Sequence, residues 1–259
     1  MEAFMLAAPD MLARLWWPFC RILAALSAAP ILGEAVVPAR VRVALSVLLS
    51  GIALPVSPST DIDPVSLSGA VLAAQQILIG LLFGATLHLV LAAFMVLGYL
   101  FSSQMGLAMA VMNDPLNGSS SDVISGVLYL LCILLFFAID GHLVVTQILY
   151  TSFRVWPVGH PIDLMSLRPL AYQVGWLLSA AMLLAIPIIF SSLVIQIGNG
   201  FTSRAVPTIN IFSLGFAVTI IFGMLMLVYL ISVMPSHYVK MSEHVLGLLE
   251  QHLGATGVR

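Results

Sequence analysis

Charge is what this sequence lacks most. Of its 259 residues only 8% are Asp, Glu, Lys or Arg, against about 25% in soluble globular domains, and 61% are hydrophobic against about 45–50%. Too few polar side chains remain to cover that apolar surface in water. The chain therefore reads as an integral membrane protein or a subunit buried in a large apolar assembly. Between Val43 and Phe153 there is no Lys or Arg, although Asp61, Asp63, Asp114, Asp122 and Asp140 fall in that stretch. A net charge of −2 supplies no basic footprint for phosphate, which argues against nucleic acid as a partner. Cysteine is scarce too: Cys20 and Cys132 stand alone in apolar sequence, with no CxxC or His–Cys spacing, and read as core thiols rather than redox or zinc ligands. A nucleophile elbow, an HExxH helix, a phosphate-binding GxxxxGK loop and a dinucleotide fingerprint are all missing. Asp61 and Asp63 sit in a Pro/Ser-rich turn that needs no catalysis to explain it. The expectation is a protein that is not an enzyme, with no catalytic residue, cofactor or metal. The start does not have the form of a signal peptide, because Glu2 and Asp10 precede the apolar run and Arg14 and Arg21 interrupt it.

What is present is a series of long apolar stretches separated by small polar islands. Residues 12–57 read as N-terminal helices. Arg14 and Arg21 are costly inside a spanning helix, so they are expected to reach an interface or face protein partners, with Trp16 and Trp17 as interfacial anchors. Pro30, Gly33 and Pro38 break this region, Glu34 is available to an arginine, and Arg40 and Arg42 open the next segment. Residues 43–57 would span only about 22 Å as a helix, less than a hydrocarbon core of about 30 Å. Residues 65–100 carry no formal charge and would reach about 54 Å as one straight helix. Such a run is either broken near Gly80 and Gly84 or projects beyond the membrane. The same glycines form a GxxxG pair that permits close helix contact, and Gln75 and Gln76 need polar partners if buried.

Central helices are expected over 123–197. Ser119 to Asp122 offer N-caps for a helix running to about Leu149, with Asp140-Gly141-His142 inside it. Residues two apart on a helix do not face each other, so this triplet reads as a structural polar cluster unless Gly141 breaks the helix. Pro187 should kink the segment 171–197. A polar break follows at 198–208, and a last long helix ends before Pro235, within 198–233. The tail 236–253 reads as a separate amphipathic helix with Ser236 as cap and Tyr238, Met241, Val245, Leu248 and Leu249 on one face.

The chain is organised around Gly98 to Gly118, GYLFSSQMGLAMAVMNDPLNG, which ends the 65–118 region. Irregular backbone at membrane depth is tolerated only where protein buries it or where it lines a wet cavity, so a constriction or hinge is one reading. A turn between helices is the other, since Asp-Pro and Asn-Gly are ordinary turn dipeptides. Two function classes follow. A channel-forming or assembly subunit fits the uneven segment lengths and the flexible Met105, Met109 and Met112. A small secondary transporter fits Asp140, His142 and the broken segments, but the breaks in the two halves differ in residue chemistry.

Four ordered landmarks add a family resemblance: AAPILGEAVVPARVRVAL at 28–45, SSQMGLAMAVMNDPLNG at 102–118, DGHLVVTQILYTSFRVWPVG at 140–159 and SRAVPTINIFSLGF at 203–216. Over almost its whole length the chain resembles the FliR family of flagellar export proteins, with its counterparts in virulence type III secretion. The resemblance implies an all-α, hydrophobic helical-hairpin export-gate subunit with kinked and broken helices, a single domain over 1–259 of the FliP/FliQ/FliR type. It implies FliP-like, FliQ-like and FlhB-like partners, contact with membrane lipid, and transient passage of unfolded export substrates. The location implied is the bacterial inner membrane at the flagellar basal body, with part of the gate rising to the periplasmic side. A plug-like loop would fall on Gly106 to Gly118. Met105, Gly106, Leu107, Met109 and Met112 would seal, and Asn113, Asp114, Pro115 and Gly118 would turn the chain away. Arg40, Arg42, Asp140, His142, Arg204 and Asn210 would be structural or assembly contacts. A virulence-system subunit of the same family is the alternative. The pattern departs from the family at Leu143, where many members have a second histidine, and at Gly198 and Asn199.

Overall fold

A computed structural model of the chain describes residues 2–34, 37–56, 62–107, 112–113, 120–159, 168–205 and 211–256. Among these, the chain forms α1 (Glu2–Ala28), α2 (Ala39–Ala53), α3 (Leu67–Gln104), α4 (Val123–Ala138), α5 (Gly141–Val155), α6 (Arg168–Ala205) and α7 (Ile211–Thr256). One small antiparallel pair, β1 (Met112–Asn113) with β2 (Ser120–Ser121), lies between α3 and α4, with Met112 opposite Ser121 and Asn113 opposite Ser120. The fold is all-α. Segments of α3, α6 and α7 are long and apolar enough to cross a membrane, and α4 with α5 qualifies as one interrupted span. In their most apolar windows α6 is 22% and α7 11% buried within the chain, so most of that surface is left for lipid or other subunits. Two compact units are present. The first gathers Met1–Leu89, Asp140–Gln173 and Ser242–Arg259; the second gathers Val90–Ile139 and Val174–Met241.

In the first unit, the uncharged run does not break at its glycines. α3 is continuous for 38 residues, about 57 Å at 1.5 Å per residue. Gly80 and Gly84 instead form a seam for α1. A Cβ at Gly80 would lie 2.9 Å from Ala24 Cβ, one at Gly84 2.8 Å from Ala28 Cβ, and each would collide with a carbonyl of α1. Small residues on both helices thus bring the two backbones together, the usual way apolar helices find each other when lipid is as oily as leucine.

Arg21 departs from expectation. It neither reaches an interface nor faces a partner: its side chain is 0% exposed, one turn before the Ala24–Ala28 contact. Its Nε donates to Gln76 Oε1 at 2.8 Å, Nη1 to Ser152 Oγ at 3.1 Å and Nη2 to the Trp156 carbonyl at 2.8 Å. The guanidinium also lies 4.3 Å from the centre of the Phe153 ring. The physical reason is that α3 and α5 supply three neutral acceptors and a π-face, so a buried cation is solvated by its own chain. Gln76 thereby obtains the polar partner it required. Of the two tryptophans read as anchors, Trp16 is 42% exposed and Trp17 is buried in the core.

The turn before α2 is held by Arg42, which donates to the carbonyls of Leu32 at 2.9 Å, Glu34 at 3.2 Å and Val37 at 3.4 Å. Ile31 in that turn has φ 67°, a left-handed conformation costly for a β-branched residue, and Arg42 holds the carbonyl of the next residue, Leu32.

Three helix boundaries also differ from the sequence reading. The helix capped by Asp122 stops at Ala138 rather than near Leu149: Ile139 leaves helical geometry and Asp140 is left-handed (φ 54°), so α5 restarts at Gly141. An Asp adopts that left-handed turn at less cost than a branched residue such as Ile31. Second, α6 runs through Gly198, Asn199 and Gly200 to Ala205, with Pro187 inside it as expected. Third, α7 passes through Pro235 instead of ending before it. Proline removes the amide bond to the Ile231 carbonyl and crowds that carbonyl, yet Leu230, Met234, Tyr238, Met241 and Val245 form one buried stripe across it. Ser236 caps nothing; its Oγ donates to the Val233 carbonyl at 2.8 Å.

Arg21→Lys keeps the charge and loses the planar fork, leaving two acceptors unpaired. It is expected to destabilise the protein by about 1–3 kcal/mol, read as a lower urea midpoint in mild detergent. A wild-type midpoint would show that these hydrogen bonds do not hold the unit together.

Candidate functional site: the root of the central loop

Within the second unit, the loop between α3 and α4 springs from a fixed root. Asp122 caps α4: its Oδ1 accepts the Ser125 backbone N–H at 2.8 Å and the Ser102 hydroxyl of α3 at 2.7 Å. Ser125 Oγ lies 2.6 Å from Asp122 Oδ2 and 3.0 Å from the Met95 carbonyl, and its single proton serves one at a time. The two helices cross here almost backbone to backbone, because a Cβ at Gly98 would sit 2.6 Å from Ser125 Cα. Burial works to raise the Asp122 carboxyl. Hydrogen bonds from the Ser125 side chain and amide, from Ser102 and from the Ile124 amide outweigh it and hold the group below the usual carboxylate range.

Above this clasp the helix ends at a left-handed glycine. Gly106 has φ 73°, which costs glycine little, and its N–H donates to the Ser103 carbonyl at 3.2 Å. A Cβ there would meet the Phe216 ring of α7 at 3.4 Å. Met105 is 1% exposed. Its thioether fills a notch at Gly223 of α7, where an added Cβ would lie 2.7 Å from Sδ and 2.8 Å from Cε. On the α6 side, Ser192 Oγ reaches Gln104 Oε1 at 2.6 Å. The root of the loop thus rests on α3, α4, α6 and α7 at once. Past it the chain returns on itself through the β1–β2 pair.

The sequence-predicted residues do not converge on one point. Met105, Gly106 and the half-buried Leu107 belong to the root, and Met112 and Asn113 form β1. Met109, Asp114, Pro115, Gly118 and Asn210 lie outside the described residues. Arg42 is engaged with its own turn, Arg40 is exposed on α2, Arg204 is exposed near the end of α6, and Asp140 and His142 are exposed at the start of α5. Sequence reasoning missed Gly223, Gln104 and Ser192. Only a glycine within an uncharged run hinted at the notch, and nothing said which side chain would fill it. Among the described residues, no three His, Cys, Asp or Glu side chains group so as to hold a metal.

Residues 12–245 match the family described as bacterial export proteins, family 1, and flagellar biosynthetic protein FliR of Pectobacterium carotovorum subsp. carotovorum is 36% identical over 235 residues, 90% of each chain. The chain belongs to the FliR family. FliR of Escherichia coli (strain K12) is 30% identical over 235 residues, again 90% of each chain, and FliR of Bacillus subtilis (strain 168) is 27% identical over 222 residues, 83% of this chain and 85% of the relative. The FliR-family chain has the kinked and broken helical build expected of an export-gate protein: prolines inside α6 and α7, and the interruption at Asp140 between α4 and α5.

Asp122→Ala removes the cap and strands the Ser102 hydroxyl and the Ser125 amide. The expected loss is about 1–2 kcal/mol, with faster protease cleavage within 108–119. Because the folded carboxyl is held low, its contribution is present above the ordinary Asp value of about 4 and disappears as pH falls through the lowered folded value. Asp122→Asn should therefore flatten the acid side of the thermal-stability profile; an unchanged profile would rule out the clasp.

Proposed function

We propose that this FliR-family chain is a core export-gate subunit of the flagellar type III protein export apparatus, and that its central loop is a plug. In this reading the chain acts as one gate domain over 1–259, in the bacterial inner membrane at the basal body, with part of the gate on the periplasmic side. Its partners are FliP-like, FliQ-like and FlhB-like subunits, and unfolded flagellar proteins pass through the pore they form. The observation that carries the plug is the firm anchoring of the loop's root. Its root is held by the Asp122 clasp and by Met105 in the Gly223 notch. Family membership and the uncovered apolar surface of α6 and α7 support the assembly with other subunits.

A plug must hold against leak and still yield to a passing chain. Burying one methionine is worth about 1.5–3 kcal/mol, enough to favour the seated state and small enough for an incoming polypeptide to overcome. The unbranched thioether adapts to an irregular space when it reseats. The clasp, made of charge-assisted hydrogen bonds, stays closed while residues beyond Gly106 move.

A tagged copy extracted from native membranes in mild detergent should bring out FliP-like and FliQ-like subunits, with recovery depending on co-expression of all three. Within that complex, Gly223→Val, which expels Met105, and a Met109/Met112 double alanine should each raise ion leak without abolishing assembly. Release as a monomer that moves a small solute in liposomes would overturn the gate reading. An intact complex in which neither variant leaks would overturn the plug.

A further inference from the structure

We propose that α6 and α7 hold one anionic phospholipid, its acyl chain in the apolar groove beside Pro187 and its phosphate at Lys240 and His237. Two hollows adjoin between these helices and share Leu183, Leu184 and His237. The wider, about 440 Å³, is bordered by Trp176, Ser179, His237 and Lys240. The narrower, about 260 Å³, continues along Pro187, Ile188, Met226 and Leu230, with Phe101 of α3 at its side. Apart from Tyr229 in the narrower hollow, the polar side chains cluster at the wide end. Neither hollow has an acidic side chain in its lining, so the only formal charge offered there is positive.

The depth of the groove fits one leaflet. From Met226 to His237 the helix rises about 17 Å, and from Trp176 to Ile188 about 18 Å, close to half of a hydrocarbon core of about 30 Å. The charge pattern sets which end meets the headgroups. Residues 169–203 and 205–239 contain no Asp, Glu, Lys or Arg, and Lys240 is the first charge after them. Tryptophan favours that same interfacial level, and basic pockets between membrane helices attract anionic headgroups. A cationic mouth with no carboxylate beside it favours an anionic headgroup there over an uncharged partner helix. This inference is independent of the plug.

The test uses the assembled complex in nanodiscs of phosphatidylcholine with a minority of phosphatidylglycerol, and native mass spectrometry of what stays bound. Wild type should retain phosphatidylglycerol in preference to phosphatidylcholine. Lys240→Ala should reduce that retention about fivefold, the equivalent of about 1 kcal/mol for one surface cation. Ala180→Trp, which fills the wide end, should reduce it as well. Because Lys240 is exposed, its variant keeps the test valid even if Ala180→Trp fails to assemble. Equal retention of the two lipids, retention unaffected by Lys240→Ala, or a photo-crosslink from position 184 to a protein chain instead of lipid would each overturn the proposal.

Discussion

Close approach of helix backbones at glycine is the constraint on which the arrangement depends. Among apolar helices in an apolar surrounding, one more buried leucine distinguishes little between alternative packings. Position is set where a side chain is missing. α1 settles on Gly80 and Gly84, α4 crosses α3 at Gly98, and Met105 enters the space left by Gly223. Each of these places would be closed by a single methyl group unless a neighbour moved.

Two polar clusters then fix what close packing leaves free, and they do so differently. Around Arg21 a cation is met by neutral acceptors and an aromatic face, deep in the first unit. Around Asp122 an anion is met by two hydroxyls and a helix N-terminus, at the root of the central loop in the second. Each charged group finds its partners within its own unit, although Gln76 Nε2 beside Arg21 is buried without one. The most apolar windows of α6 and α7 remain largely uncovered by the chain itself, oily surface for membrane or partners.

How much of this was legible in the sequence follows from the range of each interaction. The all-α class, the apolar segments and the Asp122 cap are local or compositional, and composition and cap chemistry declare them. The run over α3 could be read as uncharged, but whether Gly80 and Gly84 broke it or packed it depended on α1, fifty-odd residues away. Pro235 looked like a stop because proline costs one hydrogen bond; the stripe from Leu230 to Val245 that carries the helix across it matters more. At the site, the methionines and glycines of the loop stood out as a group, while Gly223, Gln104 and Ser192 did not. Their roles exist only as contacts between distant segments, and no local pattern encodes them.

The acceptors that surround Arg21 also set a timetable for biosynthesis. Ser152 and Trp156 are separated from it by 131 and 135 residues of chain. At a synthesis rate of about 5–20 residues per second, the arginine waits roughly 7 to 27 s before its last acceptor has been made. Throughout that interval Arg21 lacks two of the three acceptors that solvate it in the folded unit. The network that buries Arg21 therefore closes only once α5 has been made, so the first unit cannot be completed helix by helix in the order of synthesis.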